Sequence, residues 1–475
     1  MFREAAINPA SPVNSKSEQS VRRAALTIAV LGGFLTPFMG SAVNIALPSI
    51  GREFSLHAVG LGWVATAYLL TAATFLLPFG RLADIIGRKK IYAWGLALYT
   101  LASLLCGLAP AAPLLIGFRA LQGLGGAMIF GTAVAILSSV FPAQERGRVL
   151  GISVASTYLG LSVGPVAGGL LTQFLGWRSI FYANVPIGLL VLLLLVWKLK
   201  GEWAEARGER FDLSGSVLYG LALIALIYGF SRLPGWLGAA CLLAAGFGFW
   251  AFVRWERATP QPVLHLDLFR NRVFAFSSLA ALINYSATFA VGFLLSLYLQ
   301  YIKGLPPQTA GLVLIVQPVF MAVFSPLAGR LSDRIEARLV ASLGMAFTAA
   351  GMLLLLLLGQ GTPLWFVLVS LVFMGFGFAL FSSPNTNAVM GSLERRFYGV
   401  GSATLGTMRL TGQMFSLAIT MLVMALYFGD APITAESHGL FLASMRAAFA
   451  VFSALCAAGV LASLARGSNS AGKQT

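Results

Sequence analysis

The chain has 475 residues, 58% of them hydrophobic and 10% charged, with a mean hydropathy of +0.84. Soluble domains carry about a quarter charged residues, so these values exclude a water-soluble globular fold and indicate an all-α polytopic membrane protein. The net charge of +16 does not point to nucleic acid, because such binders gather their basic residues on one soluble face and here they fall in short loops.

Residues Met1 to Ser20 are polar and read as a disordered tail, with a 1–23 cytoplasmic segment before the first span. Arg22-Arg23 precede a run of full spanning length, which favours a positive-inside anchor over a twin-arginine export signal. A span needs roughly 20 mainly apolar residues, and fourteen such segments follow. They are Ala24–Leu47, Leu61–Phe79, Ile91–Ala109, Leu114–Val140, Val149–Phe174, Ile180–Trp197, Leu213–Phe230, Leu237–Val253, Val273–Leu299, Thr309–Leu327, Leu339–Leu358, Leu364–Val389, Val400–Phe428 and Leu440–Ala465. With the amino terminus inside, 25 Lys and Arg (4 + 4 + 2 + 4 + 4 + 3 + 2 + 2) lie in the cytoplasmic segments. Only Arg52, Arg178, Arg232 and Lys303 lie outside. That bias predicts both termini, including 466–475, in the cytoplasm of a cell (inner) membrane.

The first span contains Pro37 and Gly40 and closes on Asn44 and Pro48. A proline inside a spanning helix frees a carbonyl, which suits a helix lining a polar path or a purely structural kink. The second carries Thr66 and Tyr68 and runs into GRLADIIGRKK, Gly80 to Lys90, in which Arg81, Arg88, Lys89 and Lys90 surround Asp84, with a further glycine at Gly87. GRLSDRIEARL, from Gly329 to Leu339, repeats the opening and brings Asp333 and Arg334 to the matching place. Two related halves are therefore expected, 24–197 and 273–465. The loops lie 329 − 80 = 249 residues apart, longer than six spans require, so Leu213–Val253 reads as an inserted helix pair within 198–272. Its flanking linkers, Lys198–Asp212 and Arg254–Arg272, read as solvated connectors.

Arg119 stands in the fourth span, two helical turns beyond Pro113, with Gln122 on the same face at i+3. An arginine in hydrocarbon costs at least ~2.5 kcal/mol on insertion scales, so it faces a cavity or a partner, or else snorkels to the surface. Gly160, Gly164 and Gly168 in the fifth span are four apart and give a smooth stripe for close helix contact, as a static seam would also show. Pro165 and Gly169 lie beside it, and the proline favours a mechanical bend. In the second half Asn284, Gln317, Asn385, Asn387 and Gln413 fall in apolar runs, and Arg409 lies about two turns into the thirteenth span. Each amide alone bonds across helices by default; together with Asn44 and Tyr68 they outline a hydrated path. Arg446, near the start of the last span, reads as snorkelling.

These stretches resemble the major facilitator superfamily, and within it the fourteen-helix drug/proton antiporter branch. GRLADIIGRKK is similar to the signature loop between helices two and three, RALQGLGGA to the basic fourth-helix motif, GLSVGPVAGGLL to the antiporter motif of helix five, and GWRSIFYANVPIG to the segment leading into helix six. The resemblance implies two six-helix bundles that rock about a central site. It also implies Gly80 and Gly87 as turning points, Asp84 in a charge–helix contact that locks the cytoplasmic side, and gating roles for Arg88, Asp333 and Arg334. The chain departs from the pattern twice. Ile85 stands where the family has an arginine after the loop aspartate, and Met39 where the branch has an aspartate in helix one.

All sixteen Asp and Glu, and His57, His265 and His438, fall in loops or at membrane boundaries. A proton carrier in the interior needs a titrating group there, whereas Arg119 and Arg409 stay cationic. They are expected to share one central cavity without a neutralising acid and to favour neutral or anionic amphipaths. Cys106, Cys241 and Cys456 lack metal-ligand spacing, no phosphate loop or nucleophile–base pair is present, and no enzyme, metal or cofactor is expected. The expected partners are an amphipathic small molecule, the lipid bilayer, and an ion gradient or the membrane potential, with the protein monomeric. The function this implies is multidrug-like export. The rivals are a dedicated carrier of one anionic metabolite or lipid, and a non-transporting sensor that kept the fold.

Overall fold

The structure, a computed structural model, describes residues 15–233, 235–264, 266–393, 398–428 and 435–466. Helices α1 (Ser15–Phe54), α2 (Ala58–Ile86), α3 (Arg88–Leu108), α4 (Ala112–Val140), α5 (Ala143–Leu175) and α6 (Arg178–Lys198) form the first bundle. The inserted pair is α7 (Leu213–Arg232) and α8 (Trp236–Ala258). The second bundle comprises α9 (Arg272–Thr288) with α10 (Ala290–Leu297), α11 (Pro307–Leu314) with α12 (Val316–Arg334), α13 (Ala337–Leu355), α14 (Leu364–Gly391), α15 (Tyr398–Phe428) and α16 (His438–Ala465). Among the described residues, fourteen helical stretches are long and apolar enough to cross a membrane.

The first helix begins at Ser15, nine residues (24 − 15) before the expected start of its span. The expected tail is thus helical over Ser15–Ser20, and Arg22 pairs with Glu145 of α5 at 3.5 Å. Two expected single spans are interrupted. After Thr288 the ladder loosens where the Ala290 amide donates to Ser416 Oγ across the bundle, at 2.9 Å. After Leu314 the cause is Pro318, which has no N–H to give the Leu314 carbonyl. A π-helical turn, Tyr298–Ile302, completes the first of these spans.

The glycine stripe packs α5 on α1. A Cβ at Gly160 would meet the Phe34 carbonyl oxygen at 2.6 Å, one at Gly164 the Ser41 hydroxyl and Phe38 carbonyl, and one at Gly168 the Ala42 Cα at 2.8 Å. Close backbone approach of this kind is how membrane helices gain packing without a hydrophobic driving force. Proline chemistry completes the arrangement. Pro37 leaves the Gly33 carbonyl free, and Thr157 Oγ1 of α5 donates to it at 3.5 Å.

The inserted pair leans on both bundles. Tyr219 of α7 donates to the Ala73 carbonyl of α2 at 3.3 Å, and Phe230 stacks edge-on with Phe415 of α15 at 6.3 Å. Beyond α7 lies α8, whose Leu243, Phe247 and Trp250 are exposed where lipid would lie. The linkers are largely exposed or half-buried, as expected of solvated connectors, but their ends are tied to the inserted pair. Asp212 caps α7 through the Gly215 amide and accepts from Trp255, while the buried Glu256 accepts from the Val263 and Leu264 amides. Backbone turns at both ends need acceptors, and these carboxylates supply them.

Candidate functional site

The two bundles meet most tightly at the end away from the termini. Pro48 frees the Asn44 carbonyl, and Ser296 of α10 donates to it at 2.6 Å. Gln300 Nε2 donates to the Ile45 carbonyl at 3.0 Å and Tyr301 to the Pro48 carbonyl at 3.4 Å. On the other flank a Cβ at Gly169 would sit 2.6 Å from the Pro307 carbonyl oxygen, Gly311 abuts the Pro165 carbonyl, and the Gln308 amide donates to Gln173. The hydroxyl of Thr66 on α2 lies 3.4 Å from Met421 Sδ on α15. Thus Pro165 and Gly169 face the other bundle, whereas the stripe beside them stays within its own. Toward the middle the described hydrogen bond between the bundles is Tyr158 with Ser382, 3.2 Å apart. Bonds described at the end holding the termini, such as Asn271 to the Ser392 carbonyl and Arg272 to the Ala465 carbonyl, run within one bundle.

Below that seal lies a polar centre. Arg119 is 2% exposed: its Nε donates to the Val64 carbonyl at 3.1 Å, its Nη1 to Gln122, and its guanidinium lies 4.7 Å from the centre of the Tyr68 ring. Gln122 passes the bond on to Ser103 at 2.7 Å, and Ser103 to the Tyr99 carbonyl at 2.7 Å. From the opposite bundle Arg409 lies 5.7 Å from the centre of the Tyr285 ring, with its buried Nε unpartnered. Both guanidinium charges act on the Tyr68 phenol, whose hydroxyl is also buried without a partner. None of the described ion pairs includes Arg119 or Arg409. Sequence reasoning missed Tyr158, Tyr285 and Ser382, which join this centre; hydroxyls inside apolar runs were the available signal.

The other expected path residues divide. Gln122 is fully enclosed and holds Arg119 rather than lining a path. Asn385 is enclosed as well: its amide donates to the Ser277 carbonyl at 3.1 Å, and its oxygen accepts from Arg466 at 3.2 Å. Arg466, unanticipated, is buried against Ser277, Ser463 and the Ala337 carbonyl, and closes the end of α16. Burial, with Arg338 nearby, pushes its guanidinium down to about 10, which leaves it charged at neutral pH. Asn284 is enclosed with both side-chain amide atoms unpaired. Gln317 and Asn44 are half-buried and Gln413 is buried. Asn387, exposed, donates to Ser332, and Arg446 donates to the Leu358 carbonyl at the end of α13. Met39, at the family's aspartate position, is core.

The GRLADIIGRKK stretch departs from its expected geometry. Gly80 lies within α2, not in a turn, and a Cβ there would meet nothing within 4 Å. The whole turn is Gly87, at φ +127°, a conformation L side chains rarely adopt. Asp84 bonds Arg88 at 2.7 Å instead of a helix end in the other bundle, and Arg88 reaches on to Glu205 at 2.8 Å and to Ser139. Glu202 accepts from the Lys89 amide at 2.8 Å, Glu209 pairs with Arg81, and the Ala206 amide donates to the Asp84 carbonyl at 2.9 Å. The acidic linker Glu202–Glu209 therefore clasps the basic loop. In the second copy Arg334 is exposed, and the Asp333 side chain lies outside the described residues.

The profile of the Major Facilitator Superfamily matches residues 29–277 and 277–474. The chain belongs to that superfamily. It is a multi-pass membrane transporter of the family, with fourteen candidate membrane spans among the described residues. It is 35% identical over 414 residues to the multidrug resistance protein Stp of Mycobacterium tuberculosis, covering 86% of this chain and 76% of Stp. Against the riboflavin transporter RibZ of Clostridioides difficile the identity is 33%, covering 81% and 84%. The cephamycin export protein CmcT of Amycolatopsis lactamdurans is 32% identical, covering 91% of each chain. Among solved structures the peptide transporter POT superposes with a TM-score of 0.69 at 15% identity, covering 94% of this chain and 98% of POT, a likeness of fold.

Proposed function

We propose that this facilitator exports amphipathic small molecules by alternating access, favouring neutral or anionic ones, from the cytoplasmic side of a cell membrane on which both termini lie. The observation that carries the reading is the pair of arginines, one from each bundle, each stacked on a tyrosine, Arg119 on Tyr68 and Arg409 on Tyr285, and neither in any of the described ion pairs. Such a centre repels lipophilic cations. An inside-negative potential pushes an anion outward by ~2.3 kcal/mol per charge per 100 mV, so export can proceed without a buried proton carrier. The resistance and export functions named for Stp and CmcT support the direction. The positive-inside bias supports the orientation.

The bonds gathered at the far end fit a state closed there and open toward the termini. Rocking would break them and close the other end, where the clasped loop lies. Transport in proteoliposomes with voltage and pH gradients imposed separately tests the reading. Voltage-driven efflux of an anionic dye is expected, and cation efflux driven by pH alone would defeat it. A second reading, a carrier dedicated to one metabolite, is favoured by the likeness to RibZ. A substrate panel in which one compound alone is moved would select it.

A further inference from the structure

At the end holding the termini, α1 and α6 leave two adjoining recesses of about 430 and 300 Å³. Arg23 and Leu194 line the first, Trp197 and Lys200 the second, and Ser20 and Lys198 line both. The neighbouring Arg22 is neutralised by Glu145, but Arg23, Lys198 and Lys200 enter none of the described ion pairs. Three like charges are thus gathered around one hollow. Directly above them α6 presents a continuous apolar stripe outward: Leu189, Leu190, Leu193, Val196 and Trp197 are each at least 48% exposed. In a spanning helix that stripe meets acyl chains, and Trp197 stands at the depth where indoles settle between tails and headgroups.

We propose that this recess binds the phosphate of an anionic phospholipid headgroup in the leaflet on the side of the termini, with the acyl chains along α6. Basic hollows between spanning helices at this depth are suited to phosphate-bearing lipids, each cation adding ~1 kcal/mol near the surface. A free phosphate shares the headgroup chemistry, but it makes no use of the stripe that adjoins the charges. The site lies on the outer side of the first bundle, apart from Arg119 and Arg409, and stands whatever the transporter carries. Bound lipid would tie the extended start of α1 to the end of α6.

The test is native mass spectrometry of the full-length purified transporter, titrated with short-chain phosphatidylglycerol, phosphatidylcholine, or phosphatidylglycerol plus inorganic phosphate. Phosphatidylglycerol is expected to bind in preference to phosphatidylcholine. The triple variant Arg23→Gln, Lys198→Gln, Lys200→Gln should weaken it on the order of a hundredfold, and Lys198→Gln alone about fivefold. Removing the same charge elsewhere (Arg207→Gln, Arg254→Gln, Arg257→Gln) should leave binding unchanged. Should the triple variant not fold, the single variant carries the test. Equal retention of both lipids, or full retention in a folded variant, overturns the site. Displacement by inorganic phosphate as effective as added lipid overturns the assignment to a headgroup.

Discussion

Two alanine substitutions on one helix separate packing within a bundle from packing between bundles. A Cβ at Gly160 or at Gly169 would stand 2.6 Å from a backbone carbonyl oxygen, Phe34 in the first case and Pro307 in the second. Ordinary contact begins near 3.4 Å, so each overlaps by roughly 0.8 Å (3.4 − 2.6) with atoms that cannot rotate away. Overpacking of this kind costs about 1–3 kcal/mol. At Gly160 the partner is α1 of the same bundle, present in every transport state, so the cost falls on stability and the melting temperature drops. At Gly169 the partner is α11 of the other bundle, present only while the far end is sealed. There the cost falls on the sealed state alone and shifts the ratio of states roughly 5- to 150-fold. The assay uses Ser296→Cys, buried in that seal, in a background with Cys106, Cys241 and Cys456 replaced by alanine. An impermeant maleimide is added from the side opposite the termini. Gly169→Ala should speed labelling at least several-fold with little change in melting temperature, and Gly160→Ala should do the reverse. Unchanged labelling in Gly169→Ala would refute the assignment of this contact to one state.

Asn284→Leu removes a buried amide that has no partner, so the melting temperature should rise by the equivalent of about 1–3 kcal/mol while transport slows; a fall in stability would show that the amide is satisfied. Arg119→Met strands the Gln122 oxygen and should abolish voltage-driven efflux of an anionic dye, whereas Arg119→Lys keeps the charge and should retain part of it. Equal loss in both, measured as initial rates, would assign Arg119 to positioning rather than charge. Replacing Glu202, Glu205 and Glu209 together by Gln should open the 199–212 linker to protease. The effect on stability should stay below about 1 kcal/mol, because these carboxylates are largely solvated; undiminished protease resistance would argue against the clasp. At constant voltage, transport should stay flat from roughly pH 6 to pH 8, and a sigmoidal profile would reveal an interior titrating group.

Much of this protein was legible in the chain because a bilayer constrains sequence locally. Fourteen apolar runs, the basic bias of alternate loops and the repeated GRLxD are each a property of neighbouring residues, and the helices lie where those runs predict. The stripe of Gly160, Gly164 and Gly168 was readable for the same reason, since a period of four residues names a helix face whatever covers it. Interruptions were harder. Pro318 announced one, but the break after Thr288 depends on the hydroxyl of Ser416, 126 residues away.

Polar partnership was not legible, because it is a relation between residues distant in the chain. Composition marked Asn385 and Gln122 as polar groups in apolar spans but could not say that Arg466 and Arg119 had claimed them. Glu202, Glu205 and Glu209 looked like any solvated linker until the fold laid them on Arg88, Lys89 and Arg81. The chain alone determined that two permanent cations sit among apolar residues with no acid on their own helices. Only the tertiary structure decided that each stacks on a tyrosine, Arg119 on Tyr68 and Arg409 on Tyr285, since helices in a bilayer are placed by backbone contact and by the carbonyls that prolines release.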